Sequence, residues 1–276
     1  MTEATEWVSV GALGEAFRPD SNCLEYVGDL GGKRISLHFE NGSIVEYRFL
    51  ADQIVHWQRT DEGVGEVAEE TYTATCPREG IYFVDFIKAK GRAASVSLVL
   101  DFTKGVATAV FGELPTREEV EEPFQQKNAQ GKPLTSVGAN FVRATVDQPY
   151  SAAAPHHQVT PELIGKRVQY IYSPTETYEH IYLNPEFYTW HCTKGIERGL
   201  CDTDLCHYYR IDANLYLFVW REKIVPTLGV VMIDLQKRKT TGKIFGYTGD
   251  DFQALTNFSI GAYASIVHVI PPGAMP

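Results

Sequence analysis

Runs of alternating β-branched, aromatic and polar residues recur along most of the chain, each closed by a turn signal such as ENGS (40–43), DFTKG (101–105) or DLQKRKT (234–240). Only two stretches keep a helical period, 116–127 (TREEVEEPFQQK) and 250–256, and both are expected to be short helices. The pattern repeats itself. GKRISLHFENGSIVEYRFL (32–50) lines up with GKRVQYIYSPTETYEHIYL (165–183), IYFVDF (81–86) with LYLFVW (215–220), and LVLDFTKGVATAVFG (98–112) with VMIDLQKRKTTGKIFG (231–246). SVGANF (136–141) then resembles SIGAYA (259–264) after a shorter connection. Four matches in one order at a nearly constant offset describe a duplicated domain, with a period far above solenoid lengths.

Many short strands in each copy favour closed antiparallel barrels, which leave no sheet edge exposed and can enclose a small ligand. The expected fold class is therefore all-β, with two tandem lipocalin-like barrels and few short helices. The first spans 1–148 and the second 163–276. The Pro-, Ala- and Ser-rich segment 149–162 serves as a linker, leaving His156 and His157 exposed to solvent.

Period-2 alternation also assigns faces. In 81–88 the mid-strand charge of Asp85 sends Phe83 and Asp85 to water, and Tyr82, Val84, Phe86 and Lys88 inward. The same register in the second copy turns Tyr216, Phe218, Trp220 and Glu222 inward, while Tyr170 and Tyr172 share one face of their strand. The positions matching the tyrosine pair and Glu222 in the first copy are Leu37, Phe39 and Lys88. The first interior thus reads as apolar and filled, and chemistry is expected in the second barrel alone.

Composition narrows the function. A net charge of −10 argues against nucleic acid or an anionic membrane as partner, and no apolar run reaches the roughly 18 residues that span a bilayer. Five cysteines without a signal-peptide pattern fit reduced thiols and a cytoplasmic location. Three of those cysteines fall in HCTKGIERGLCDTDLCHYY (191–209). Their spacing lacks the tight thiolate knuckle of structural zinc sites, and His191 and Cys192 point to opposite faces of a strand, so no metal is expected. Asp101 and Asp234 match across the copies, which indicates a shared turn role. His180 reads as a hydrogen-bonded structural histidine at the edge of the ligand-facing set.

With its GKR repeat and the run YIYSPTETYEHIYLNPEFYTWHC (170–192), the whole chain resembles the MoaF family. That resemblance implies an accessory role linked to molybdenum cofactor biosynthesis and no defined reaction. Residues 165–246 also resemble, more distantly, the phenolic acid decarboxylases, single barrels that need no cofactor. Tyr170-Ile-Tyr172 matches that family's Y-x-Y pair, GIERG supplies Arg198, and YLFVWRE matches Y-x-x-x-W-x-E with Tyr216, Trp220 and Glu222. One departure is that the N-G following the tyrosine pair stands here in the first copy, as Asn41-Gly42.

The resemblance implies a cofactor-free lyase or isomerase acting on a small aromatic or unsaturated carboxylic acid. Glu222, Arg198, Tyr170 and Tyr172 would be catalytic, and Tyr216, Phe218, Trp220 and His180 would line the substrate. A carboxyl buried among aromatic rings can act as an acid near neutral pH, and an arginine there can hold a carboxylate. The alternatives are a non-catalytic binder of a hydrophobic or pterin-like metabolite, and a scaffold acting through its surface, with homo-oligomerisation left open.

Overall fold

A computed structural model describes residues 6–60 and 65–270. A helix, α1 (Val10–Phe17), precedes the first set of strands: β1 (Arg34–Phe39), β2 (Ile44–Phe49), β3 (Ile54–Arg59), β4 (Val67–Arg78), β5 (Ile81–Lys88), β6 (Ala94–Asp101) and β7 (Val106–Glu113). After α2 (Arg117–Glu121) and α3 (Phe124–Ala129) comes β8 (Gly138–Val146), which pairs with β1 and closes an eight-stranded barrel. Alternation is obeyed as expected. Tyr82, Val84 and Phe86 join Leu37, Phe39, Tyr47, Phe49 and Trp57 in one interior cluster.

The outer face of β5 departs from the expectation. Phe83 and Asp85 are buried, and Asp85 accepts a 2.6 Å hydrogen bond from the Ser97 hydroxyl on β6. That hydroxyl gives the carboxylate the partner that water would otherwise provide, so a mid-strand charge does not require an exposed face.

The second set runs β9 (Gln158–Val159), β10 (Lys166–Ile171), β11 (Thr177–Tyr182), β12 (Phe187–Lys194), β13 (Cys201–Asp212), β14 (Leu215–Glu222), β15 (Thr227–Asp234), β16 (Lys239–Tyr247), β17 (Leu255–Ile260) and β18 (Tyr263–Val269). Pairing of β12 with β13 and of β18 with β10 closes a second eight-stranded barrel. β17 and β18 divide the work of the final strand, β17 pairing with β16 and β18 with β10. All-β architecture with two tandem barrels is thus what the chain adopts. Equivalent registers confirm the duplication: Tyr47 opposes Trp57 in the first barrel as His180 opposes Trp190 in the second.

Two compact units emerge, and they interleave along the chain. Residues 24–113 and 139–158 make one, containing the first barrel. The described residues up to Cys23, the segment 114–138 and residues 159–270 make the other. His156 and His157 are accordingly buried, not solvent-exposed. His157 Nδ1 lies 2.8 Å from the Thr108 hydroxyl and His156 Nε2 2.8 Å from the Ser151 carbonyl, so one nitrogen of each ring has a protein partner in place of solvent. Burial lowers the pKa of His157, so its ring is held neutral.

The helix expectation over 116–127 resolves into α2 and α3, split at Pro123, which lacks the N–H to continue the first helix. Residues 250–256 are not helical; the chain turns there and β17 starts at Leu255. Asp101 and Asp234 do share a turn role, each accepting backbone N–H groups two and three residues on. No described helix is long and apolar enough to cross a membrane.

Candidate functional site

One end of the second barrel is an aromatic chamber with acidic groups set into it. Alternation on β11 turns Tyr178, His180 and Tyr182 inward, on β12 Tyr188, Trp190 and Cys192, and on β14 Tyr216, Phe218 and Trp220. Glu222 ends the β14 series at the rim, where its Oε1 accepts a 2.7 Å hydrogen bond from the Trp220 indole. The chamber is lined by Tyr172, Tyr178, His180, Tyr188, Trp190 and Trp220 among others, with Glu197 and Glu222 as its two carboxyls. Its volume is about 30 Å³, enough for one water and too small for an aromatic acid.

A lid restricts that volume. Helix α1 presents Leu13 and Phe17 to the chamber, and the Phe17 ring lies 4.8 Å from that of Tyr172 and 5.6 Å from Tyr178. Trp7, ahead of the helix, meets Trp190 edge-on at 5.7 Å. Gly11 permits the close seat: a Cβ there would fall 2.3 Å from the Thr248 carbonyl oxygen. Ser9 caps the helix by accepting from the Ala12 N–H. Ser9→Ala is expected to weaken the docked helix by about 1 kcal/mol, seen as roughly fivefold faster amide exchange over 10–17 with little change elsewhere. Unchanged exchange would show that the cap does not hold the lid.

Burial in and around the chamber favours the neutral form of its ionisable groups. Burial, together with repulsion from Asp204 and Glu197, holds the Glu222 carboxyl well above the usual carboxylate range, against the opposing indole hydrogen bond. Burial also raises Glu197, although the Tyr178 hydroxyl donates to its Oε2 at 3.0 Å. Burial raises Glu176 as well, and lifts Asp204 to about 6, even though Asp204 is bound by Lys223 and the Trp190 indole. His180 is pushed the other way, to about 3, by complete enclosure. It is not the satisfied histidine expected: its Nδ1 is buried without a hydrogen-bond partner, amid the rings of Tyr170, Tyr188, Phe218 and Trp220. Among the described residues, no lysine or arginine lines the chamber.

The expected site residues therefore separate. Tyr172, His180, Trp220 and Glu222 come together at the chamber wall. Tyr170 stands beside them with its hydroxyl committed to that of Tyr182 at 2.5 Å, and Phe218 packs behind His180 at 5.7 Å. Tyr216 sends its hydroxyl elsewhere, to Glu162 Oε2 at 2.7 Å.

Arg198 is the clear departure. It is exposed in the turn after β12, while its neighbour Glu197 is buried and enters the chamber. In a turn, side-chain direction follows local backbone geometry and not period-2 alternation, so the GIERG match does not fix where the guanidinium points. Residues the motifs missed are Tyr178, Tyr188, Trp190 and Glu197. The first three were readable from alternation in TYEHIY and FYTWHC.

The cysteines remain free thiols: Cys192 and Cys206 are buried and Cys201 is exposed. Burial raises the Cys192 thiol to about 11 and Cys206 to about 12, so neither is a ready thiolate.

A family model described as the MoaF N-terminal domain matches residues 5–116, and one described as the MoaF C-terminal domain matches 157–270. Protein MoaF of Klebsiella aerogenes is 42% identical over 272 residues, covering 98% of each chain. The chain belongs to the MoaF family. Among solved structures, a candidate β-lactamase from Burkholderia vietnamiensis matches 40% of this chain and 99% of its own, at 15% identity and a TM-score of 0.34, a likeness without functional weight.

Within this MoaF chain the duplicated domains have diverged in charge at matching positions. Glu222 of the second barrel stands where the first has Lys88, each following an aromatic residue two positions back on the inward face of its strand. Trp190 and Trp57 are likewise equivalent, as are His180 and Tyr47. The second chamber sets two carboxyls whose pKa values burial raises among aromatic rings.

Proposed function

We propose that the second barrel is a receptor for a small flat nitrogen heterocycle of pterin type, and that the chain serves molybdenum cofactor metabolism as a binding or accessory protein. The observation that carries this reading is the presence of Glu222 and Glu197 together in an aromatic chamber that, among the described residues, no cation lines. A protonated carboxyl offers one donor and one acceptor, and an ionised one two acceptors, so either form can pair with the N–H and C=O edge of an aminopyrimidinone ring. Trp190, Trp220 and Tyr188 supply faces for stacking, and the unpartnered His180 Nδ1 supplies one further polar contact. Entry requires α1 to move aside, since the closed chamber holds only about 30 Å³.

Proton transfer from Glu222 to an unsaturated substrate is a second reading, favoured by the raised carboxyl, which keeps its proton available near neutral pH. A small aromatic or unsaturated carboxylic acid suits it poorly, because Arg198 lies outside and two acidic groups face the space its carboxylate would occupy.

Isothermal titration of the full chain with pterin, and mass spectrometry after incubation with 4-hydroxycinnamate, separate the two readings. Saturable pterin binding, weakened about tenfold by Glu222→Gln and so by about 1.4 kcal/mol, is the expected result, with hydroxycinnamate recovered intact. Absence of saturable pterin binding overturns the receptor reading. Loss of carbon dioxide from hydroxycinnamate, abolished in the same variant, installs the catalytic one.

A further inference from the structure

The first barrel is not a filled counterpart of the second. One end of it holds a cavity of about 190 Å³, several times the volume of the acidic chamber. Inward positions of successive strands wall it: Phe39 on β1, Tyr47 on β2, Trp57 on β3, Phe86 on β5, Phe111 on β7 and Val142 on β8. For scale, an engineered apolar cavity of about 150 Å³ accommodates benzene, so one ring with a short substituent fits this space.

The described charged groups that line the cavity stand at its mouth, where β3 and β5 end. Lys88 is paired there with Glu66 at 2.9 Å, and Arg59 is engaged as well, so neither cation is left over to select an anion. The wall is different. Tyr47 is only 2% exposed, and among the described residues its hydroxyl has no hydrogen-bond partner. Burial alone raises its pKa, without a contribution from any charged group, so the hydroxyl stays a protonated donor in neutral surroundings. The Trp57 indole N–H is likewise buried without a partner. Folded proteins rarely leave such donors unserved. His180, the equivalent of Tyr47 in the second barrel, also holds a ring atom without a partner, so both barrels keep an unserved polar ring at one matching position.

From this geometry we infer that the first barrel binds a small uncharged aromatic molecule carrying one carbonyl group, of acetophenone size. Its ring packs among Phe39, Phe86 and Trp57, and its carbonyl oxygen accepts a hydrogen bond from the Tyr47 hydroxyl. The inference is independent of the pterin reading, since it concerns the other barrel and other residues.

Titration calorimetry of the full chain with acetophenone, its hydrocarbon analogue isopropylbenzene, and benzoate tests it. Acetophenone is expected to bind saturably. Benzoate is expected to bind at least tenfold more weakly, because its charge would leave water without a counter-ion. Tyr47→Phe keeps the ring and removes the donor. It is expected to weaken acetophenone about fivefold and to leave isopropylbenzene unchanged. Should that variant fail to fold, Val142→Phe, which fills the cavity from β8, provides the reading: acetophenone binding is expected to vanish. No saturable binding of acetophenone overturns the inference, and so does benzoate binding as tightly. Affinity for acetophenone that is unchanged in either folded variant, or lost equally for both neutral ligands in Tyr47→Phe, does the same.

Discussion

Gly229→Ala is expected to lower the melting temperature of the second unit by roughly 5–10 °C and to collapse the acidic chamber. Gly229 on β15 directly opposes Trp220 on β14, and the indole lies across the glycine. An added Cβ would fall 2.1 Å from Trp220 Cε2 and Cζ2, deep inside the contact distance. Retreat is blocked on the far side, where Phe218 stacks at 5.5 Å and His180 stands at 5.8 Å. The indole must therefore rotate, which withdraws its N–H from Glu222 and breaks the contact that orients the carboxyl. Overpacking of this kind costs about 1–3 kcal/mol or more, and a domain of this size shifts by about 2–4 °C per kcal/mol. Calorimetric melting with near-ultraviolet circular dichroism checks both parts. A variant with the parental melt and an unaltered tryptophan signal would mean that the Trp220–Gly229 contact does not organise the chamber.

The companion result concerns pH. The folded-state pKa of Glu222 is raised, so between the unfolded value and the folded one the native chain holds a proton that the unfolded chain has lost. This contribution to stability is fully present below the unfolded glutamate pKa of about 4.3 and is lost as pH rises through the folded value. Glu197, Glu176 and Asp204 are raised as well, Asp204 to about 6, and they act in the same direction.

The urea midpoint of the second unit is therefore expected to fall between pH 5 and pH 8. Glu222→Gln, which cannot ionise, should reduce that fall and stabilise the protein at pH 8. Each unit of pKa elevation is worth about 1.4 kcal/mol. Urea titrations of both proteins at the two pH values decide it. An identical pH dependence in parent and variant would show that Glu222 ionises in the folded state as freely as in water.

What the sequence disclosed follows the rule of alternation. Strands report their inward face every second residue, so alternation alone assigns Tyr82, Val84 and Phe86, and Tyr216, Phe218, Trp220 and Glu222, to it. The duplication then supplied the number of barrels. Readings failed where alternation stops or where burial has another source.

Arg198 and Glu197 are neighbours in a turn, and only the fold decides which of the two enters the chamber. Helix α1 is not legible in the sequence because Gly11 and Gly14 depress its helical propensity, yet those glycines are what allow it to lie against Thr248 and Phe258. The empty space in the first barrel was hidden for a different reason. Residue types at the inward positions were legible, but whether their volumes fill the enclosure depends on how the rings pack.

The grouping of the chain's beginning with the second barrel also bears on synthesis at the ribosome. Trp7 and Phe17 precede the first barrel in the chain, but Tyr172, Trp190 and Phe258, against which they pack, are made after the entire first barrel. The first barrel can complete its own hydrogen bonding while the nascent leading segment waits, its Trp7, Leu13 and Phe17 without their final neighbours. Closure of the acidic chamber consequently has to wait until the whole first barrel has been made. The order of translation places the cover in position only after the vessel beneath it has been built.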